Sequence, residues 1–142
     1  MYFSIRLIVS SVALLFGAQL GLANAANAPA AVFPRGTVQL SPCIPTMGEH
    51  WAIPKDFPFG PIYGVHNQKV VFTEVMIDQR AFAAGKSFDK VLKPPPGYAI
   101  DHVDIDFEPH GHPHYLIPHY DIHAYFVPHA EHMTYCLPGR AR

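Results

Sequence analysis

Proline sets the first limit on this chain. Fifteen prolines are spread through 142 residues, and each one removes a backbone donor and fixes φ. Pro42, Pro45, Pro54, Pro58 and Pro61 punctuate the first half, Pro94-Pro95-Pro96-Gly97 breaks the middle, and Pro109, Pro113, Pro118, Pro128 and Pro138 divide the rest. A helical bundle is disfavoured. Between these breaks lie short segments with two-residue alternation, the mark of a strand with one face buried. Residues 69–77 (KVVFTEVMI) are the clearest, preceded by a turn-like His66-Asn67-Gln68. Residues 98–108 and 119–127 read as two more strands. Helix is expected only around 78–85 or 86–92, where Phe88, Val91 and Leu92 have helical spacing. The expected fold is mainly β, a small antiparallel sheet or barrel with Pro-rich loops and one or two short helices.

Residues 1–25 read as a cleaved signal peptide. Arg6 gives a positive start, residues 7–22 are almost continuously apolar, and Ala23-Asn24-Ala25 has the small-x-small form of a cleavage site. Ser10, Ser11, Gly17, Gln19 and Gly21 interrupt the run, which falls short of the ~20 strongly apolar residues that a membrane span needs. The expectation is an exported protein, periplasmic or secreted, with no stable membrane anchor. Residues 26–34 read as a disordered lead-in and 35–142 as a single β-rich domain. The balance of 10 basic against 11 acidic residues and a pI near 6.8 give no electrostatic case for nucleic acid.

Export bears on the two cysteines. In an oxidising compartment Cys43 and Cys136 can pair in only one way, closing a loop of almost the whole domain. The disulfide is the expected state, with soft metal ligation or free thiols as alternatives. No CxxC spacing suggests a redox site or a zinc ribbon.

Histidine carries the functional signal: seven of ten fall between His110 and His132. In His119-Tyr120-Asp121-Ile122-His123, strand geometry puts His119, Asp121 and His123 on one face and apolar residues on the other. Side chains two apart stand about 7 Å apart at Cα and can share an ion, whereas His119 and His123 stand about 13 Å apart and cannot do so on a regular strand. His50, in Met47-Gly48-Glu49-His50-Trp51, follows a glycine in a loop flanked by prolines. Glu74 lies on a strand face with Phe72 and Met76, where a carboxylate is costly unless it meets a cation or partner or turns to solvent. His50, Glu74, His119, Asp121 and His123 are therefore the candidate metal ligands. The loop histidines His110, His112 and His114 form a second group: a metal-scavenging loop, the mouth of the first site, or a solvated turn. His129 and His132 read as loop residues near Cys136. Two or three histidines with one carboxylate suit zinc first, with manganese, iron or copper as alternatives. A nucleophile elbow, a phosphate-binding glycine loop, a dinucleotide fingerprint and a calcium loop are all missing from the sequence.

At Met47-Gly48-Glu49-His50-Trp51, at residues 64–76 (GVHNQKVVFTEVM) and at Pro118-His119-Tyr120-Asp121-Ile122-His123, the chain resembles an uncharacterised family of exported bacterial domains. Its best-known member is a sigma-E-regulated, Thermus-type protein of unknown function. The resemblance runs over most of the domain and implies a β-rich fold and assembly of identical chains into a ring. It implies no activity.

Two functional readings follow. In the first, an exported β domain binds a transition metal through histidines and a carboxylate, in a small-molecule or catalytic pocket. In the second it is a non-enzymatic envelope protein, a metal buffer or a stress-induced oligomeric module.

Overall fold

The structure, a computed structural model, describes residues 31 and 33–139; the expected signal peptide and most of the lead-in lie outside them. Six strands build one open antiparallel sheet: β1 (Val38–Gln39), β2 (Glu49–Ala52), β3 (Ile62–His66), β4 (Lys69–Asp78), β5 (His102–Glu108) and β6 (His119–Tyr125). Their spatial order is β1-β2-β3-β4-β6-β5. Two short helices, α1 (Gln79–Ala83) and α2 (His129–His132), and a single 3-10 turn at Pro54–Asp56 accompany them. The expected small antiparallel sheet is present.

β4 is the longest strand and is buried from Val70 through Ile77. Its alternation of β-branched and aromatic residues is filled on both faces, because other segments cover both sides of it. Asn67 and Gln68 join β3 to β4, both at positive φ (48° and 62°), the conformation that matches the twist of a two-residue hairpin. β2 and β3 are not visible as strands in the sequence. Both are short, and Gly64 dilutes the β signal of β3 beside a bulge at Gly64/Val65. Gly64 has a definite role, since a Cβ there would collide with the ring of Phe72 on β4. The bare backbone lets that ring lie across β3, where it meets His50 edge-on at 5.4 Å and His123 at 4.9 Å.

After β4 the chain leaves the sheet, crosses one face and returns as the edge strand β5; β6 then inserts between β5 and β4. Asp78 opens α1 by accepting from the Arg80 amide at 2.7 Å, a side-chain cap. Of the two helical stretches expected, only this one forms. Phe88, Val91 and Leu92 still pack under the sheet with Ala81, against Val75, Ile77 and Ile122. The opposite face is covered by the β5–β6 loop and the C-terminal segment. Tyr115 joins Ala52, Ile62 and Met76, while Val127 and Tyr135 join Phe72 and Tyr125. Cys43 and Cys136 are bonded across 93 residues, a closure that contributes about 4–5 kcal/mol in the chain-entropy view. At the other end, the Ala31 amide donates to the Gln68 carbonyl at 2.8 Å and Phe33 stacks on Trp51 at 5.4 Å.

Gly64→Ala should destabilise the domain by roughly 1–3 kcal/mol, the usual cost of forcing a methyl into a packed site. Urea denaturation measures it; an unchanged midpoint would mean that the Phe72 ring has another place to go.

Candidate metal centre

Register places the donors. Across β4, β6 and β5 the aligned rows are Glu74–His123–Asp104, Met76–Asp121–Asp106 and Asp78–His119–Glu108. Side chains two apart on each strand share a face, so these polar groups all lie on the side covered by the β5–β6 loop and the C-terminal segment. His50 reaches this face from β2, in the row that runs through Gly64 and Phe72. Glu74, His119, Asp121 and His123 are buried.

The first group is His112, His119 and Asp121. Nε2 of His119 is 3.0 Å from Asp121 Oδ1 and 3.2 Å from Nε2 of His112, which lies 3.6 Å from Asp121 Oδ2. Each ring has its other nitrogen at a backbone carbonyl: Nδ1 of His119 is 2.6 Å from the Ile117 oxygen, and Nδ1 of His112 is 3.2 Å from the Pro113 oxygen. A carbonyl only accepts, so Nδ1 donates in both rings. In neutral imidazoles this leaves two Nε2 lone pairs converging on a carboxylate. Lone pairs repel unless a cation or an added proton sits among them, and a ring nitrogen tied to a carbonyl is the usual orienting contact of a metal-binding histidine.

His112 reaches the sheet through a tight turn. The Tyr115 amide donates to the His112 carbonyl at 2.9 Å and the His112 amide returns the bond at 3.2 Å. Pro113 takes the first corner and His114, at φ 77°, the second, the arrangement of a type II turn. His112 is therefore at the base of the turn, while His114 at its tip and His110 before it are exposed. The sequence groups all three as one loop. The signal that separates them is Pro113, whose fixed φ makes its neighbours turn.

The second group is His50, Glu74 and His123. Glu74 Oε2 lies 3.7 Å from Nε2 of His50 and 3.6 Å from Nε2 of His123, too long for hydrogen bonds. The Ser41 hydroxyl gives its proton to the Pro42 carbonyl at 2.9 Å and so accepts from Nδ1 of His50 at 3.1 Å. That again directs a lone pair at the carboxylate. Within the described residues, Glu74 Oε2, Asp121 Oδ1 and both ring nitrogens of His123 are buried without a hydrogen-bond partner. Such atoms are rare in folded proteins and each asks for an explanation, a cation among them. Burial, helped by positive charge at His112, lowers the His50 pKa to about 4. Burial, then His50 and His132, lowers that of His123 to about 3. Burial and the neighbouring Asp121 hold Glu74 well above the usual carboxylate range. Burial also raises Asp121, against the opposing pull of His119 and His112.

The five ligands expected from the sequence thus share one face but divide between two groups, with His119 beside Asp121 and His123 beside Glu74. His119 and His123 serve different carboxylates, as strand spacing requires. Cys43, His66 and Cys136 also bring three donor atoms together, but the sulfurs are bonded to each other. A cavity of about 370 Å³, lined by Phe33, Trp51 and His66 among others, includes Glu49 and Trp51, which alternate with His50 on β2, so it opens away from the centre.

The fold is similar to the crystal structure of hypothetical protein TTHB210 from Thermus thermophilus, with a TM-score of 0.57 and 22% identity over 68% of this chain and 91% of that one. No family model and no curated protein matches the chain. At this identity the likeness is one of fold, and it agrees with the resemblance to an uncharacterised Thermus-type protein.

Stability should follow pH with two opposite components. Below the unfolded histidine value of 6.5, the unfolded chain takes up protons at His50 and His123 that the folded chain refuses. Acid therefore weakens the fold from about 6.5 down towards about 4 and 3. Glu74 acts the other way: above the ordinary carboxyl value of 4.5 the folded state keeps a proton that the unfolded state has released, so rising pH weakens the fold until the folded carboxyl ionises. In chelator-treated protein, Glu74→Gln should remove the second component and be at least as stable as the parent near neutral pH. Urea denaturation at a series of pH values checks this; a Gln variant markedly weaker at about pH 8 would mean an ionised, paired Glu74.

Proposed function

We propose that this chain is an exported β domain that binds a transition metal on its histidine-lined face, through His112, His119 and Asp121, with His50, Glu74 and His123 as an adjoining set. One observation carries the reading. The Nδ1 atoms of His119 and His112 are both directed at backbone carbonyls, which leaves their Nε2 lone pairs facing the Asp121 carboxylate. Zinc is the first choice for two imidazoles and a carboxylate, with manganese, iron and copper as alternatives. Three protein ligands leave a coordination position open, where a bound metal supplies Lewis acidity to a substrate oxygen or to water. The surrounding residues would hold the ligand rings in place and, in Tyr115, whose ring lies 4.5 Å from that of His119, narrow access to them.

Export is supported by the apolar leader with its small-x-small ending and by the Cys43–Cys136 bond. The leader favours the periplasm or secretion.

A second reading, an oligomeric module, is favoured by the edge strand. β5 turns Val103, Ile105 and Phe107 outward on the face opposite the donors, with 47%, 63% and 43% of their surfaces exposed. An apolar stripe on a sheet edge is a ready surface for a second copy. The two readings are compatible.

Metal analysis of the purified mature protein should find a tightly held ion whose removal lowers the thermal midpoint, because a ligand bound only by the folded state stabilises it. His112→Ala and His119→Ala should each abolish the ion held beside Asp121, whereas His110→Ala with His114→Ala should leave it intact. The reverse pattern would favour a loop-borne metal buffer. For the edge strand, light scattering should find an oligomer that Ile105→Asp disperses; a monomeric parent would remove that reading.

A further inference from the structure

Beyond Tyr125, the same face carries a third set of donors, away from Asp121 and Glu74. His102 and Asp104 come from β5, which pairs with Tyr125 and His123 on β6. His129 and His132 come from α2. In the sequence these last two read as loop residues, because a four-residue helix is too short to leave a periodic trace. α2 follows Pro128, which occupies its N-cap position, and it turns His132 inward until only 3% of its surface is exposed.

We infer that His102, Asp104, His129 and His132 form a four-donor site for a zinc-class metal ion, separate from the centre built on Asp121 and Glu74. One ligand atom from each of the four lies within 4.8 Å of all the others. Nε2 of His132 is 3.1 Å from Nδ1 of His129, Nδ1 of His129 is 4.0 Å from Asp104 Oδ2, and Nε2 of His102 is 3.8 Å from the same oxygen. Ligand atoms around a tetrahedral zinc, at about 2.0–2.1 Å from the metal, stand roughly 3.3 Å from one another. Small side-chain rotations close the difference.

Two of the imidazoles are already set in the metal-binding form. Nδ1 of His132 donates to the Thr46 carbonyl at 2.9 Å, and Nδ1 of His102 lies 2.9 Å from the Asp101 carboxylate. These contacts fix the tautomer with Nε2 free to ligate. Within the described residues, Nε2 of His102 is buried and has no hydrogen-bond partner. The rings are also held in orientation, since Tyr125 stacks on His132 at 3.9 Å and on His102 at 4.9 Å. His129, with 64% of its side chain exposed, is the least constrained donor of the four. Its Nδ1 proton, now directed at His132, moves to Nε2 when a metal takes its place, so the ring stays neutral.

Three features set the site apart from the first centre. It is built from three imidazoles and one carboxylate, so its coordination is filled by protein and it suits a structural or stored ion. It straddles β5 and α2, so an ion there would clamp the helix that precedes Cys136 to the sheet edge. It also borrows no ligand from the Asp121 or Glu74 groups, so the two proposals stand or fall separately.

Titration of the full mature protein with Zn2+ alone, against a chromophoric chelator, tests it in two variants. His112→Ala with Asp121→Asn disables the first centre, and Asp104→Asn with His129→Ala disables the edge site through exposed or half-exposed side chains that should not affect folding. The first variant should retain an ion that the second has lost, and Co2+ bound to the first should give the intense visible bands of a tetrahedral site. Asp101→Asn, which removes no ligand, should weaken that ion by about 10–100-fold. Zinc stoichiometry and affinity unchanged by Asp104→Asn with His129→Ala would overturn the edge site, whatever becomes of the first centre. If that double variant unfolds, His129→Ala alone serves, and undiminished zinc affinity in it would equally overturn the inference.

Discussion

Seven aligned pairs join β4 to β6, from Phe72 opposite Tyr125 to Asp78 opposite His119, and this register fixes where every donor points. Strand side chains alternate faces, so a slip of one residue would carry the donors of β6 to the other face and bring Ile122 and Ala124 into their place. The apolar residues of β4 and β6 prevent such a slip. Val75, Ile77 and Ile122 must meet Phe88, Val91 and Leu92 on one side, and only one register allows it. The hydrophobic face thus aligns the polar one.

Burying that polar face works against the fold. Glu74, His119, Asp121 and His123 are all removed from water, several with atoms that no other group satisfies. Protein interiors tolerate few such atoms, because each costs about 1–3 kcal/mol in lost solvation. Neutralisation lessens the cost: burial keeps the imidazoles of His50 and His123 neutral and favours a proton on Glu74. A bound cation would lessen it further by satisfying several lone pairs at once. The disulfide and the apolar underside supply the stability against which this cost is set.

Much of this is legible in the sequence, for reasons that also explain what is not. Alternation in KVVFTEVMI and in HYDIHAY identifies β4 and β6, since both are long enough, and rich enough in β-branched and aromatic residues, to leave a period. From that come His119, Asp121 and His123 on one face of β6, and Glu74 beside Phe72 and Met76 on one face of β4. β2 and β3 leave no such trace, so His50 reads as a loop residue although it stands on a strand. The division into two groups depends on pairing across the sheet, and no single strand encodes its partner. His112 is hidden by its exposed neighbours His110 and His114, and only the Pro113 turn distinguishes it. His102, His129 and His132 meet through the packing of a one-turn helix on a strand 27 residues away from its start, from His102 to His129, and local pattern carries no information about that.

The insertion of β6 between β4 and β5 has a consequence for the order of events during synthesis. Strands β1 to β4 follow one another as neighbours and can pair as they emerge, since domains tend to fold from the N-terminal end as the chain is made. β5 is different: it is made before β6, and among the described residues β6 is the strand it pairs with. The donor side chains on β4 and β6 therefore meet only after β6 has been made, and Cys43 must wait for Cys136. A nascent chain carries the histidines without the geometry that brings their nitrogens together. That geometry is acquired in one late step, in whatever compartment the last strand finds its place.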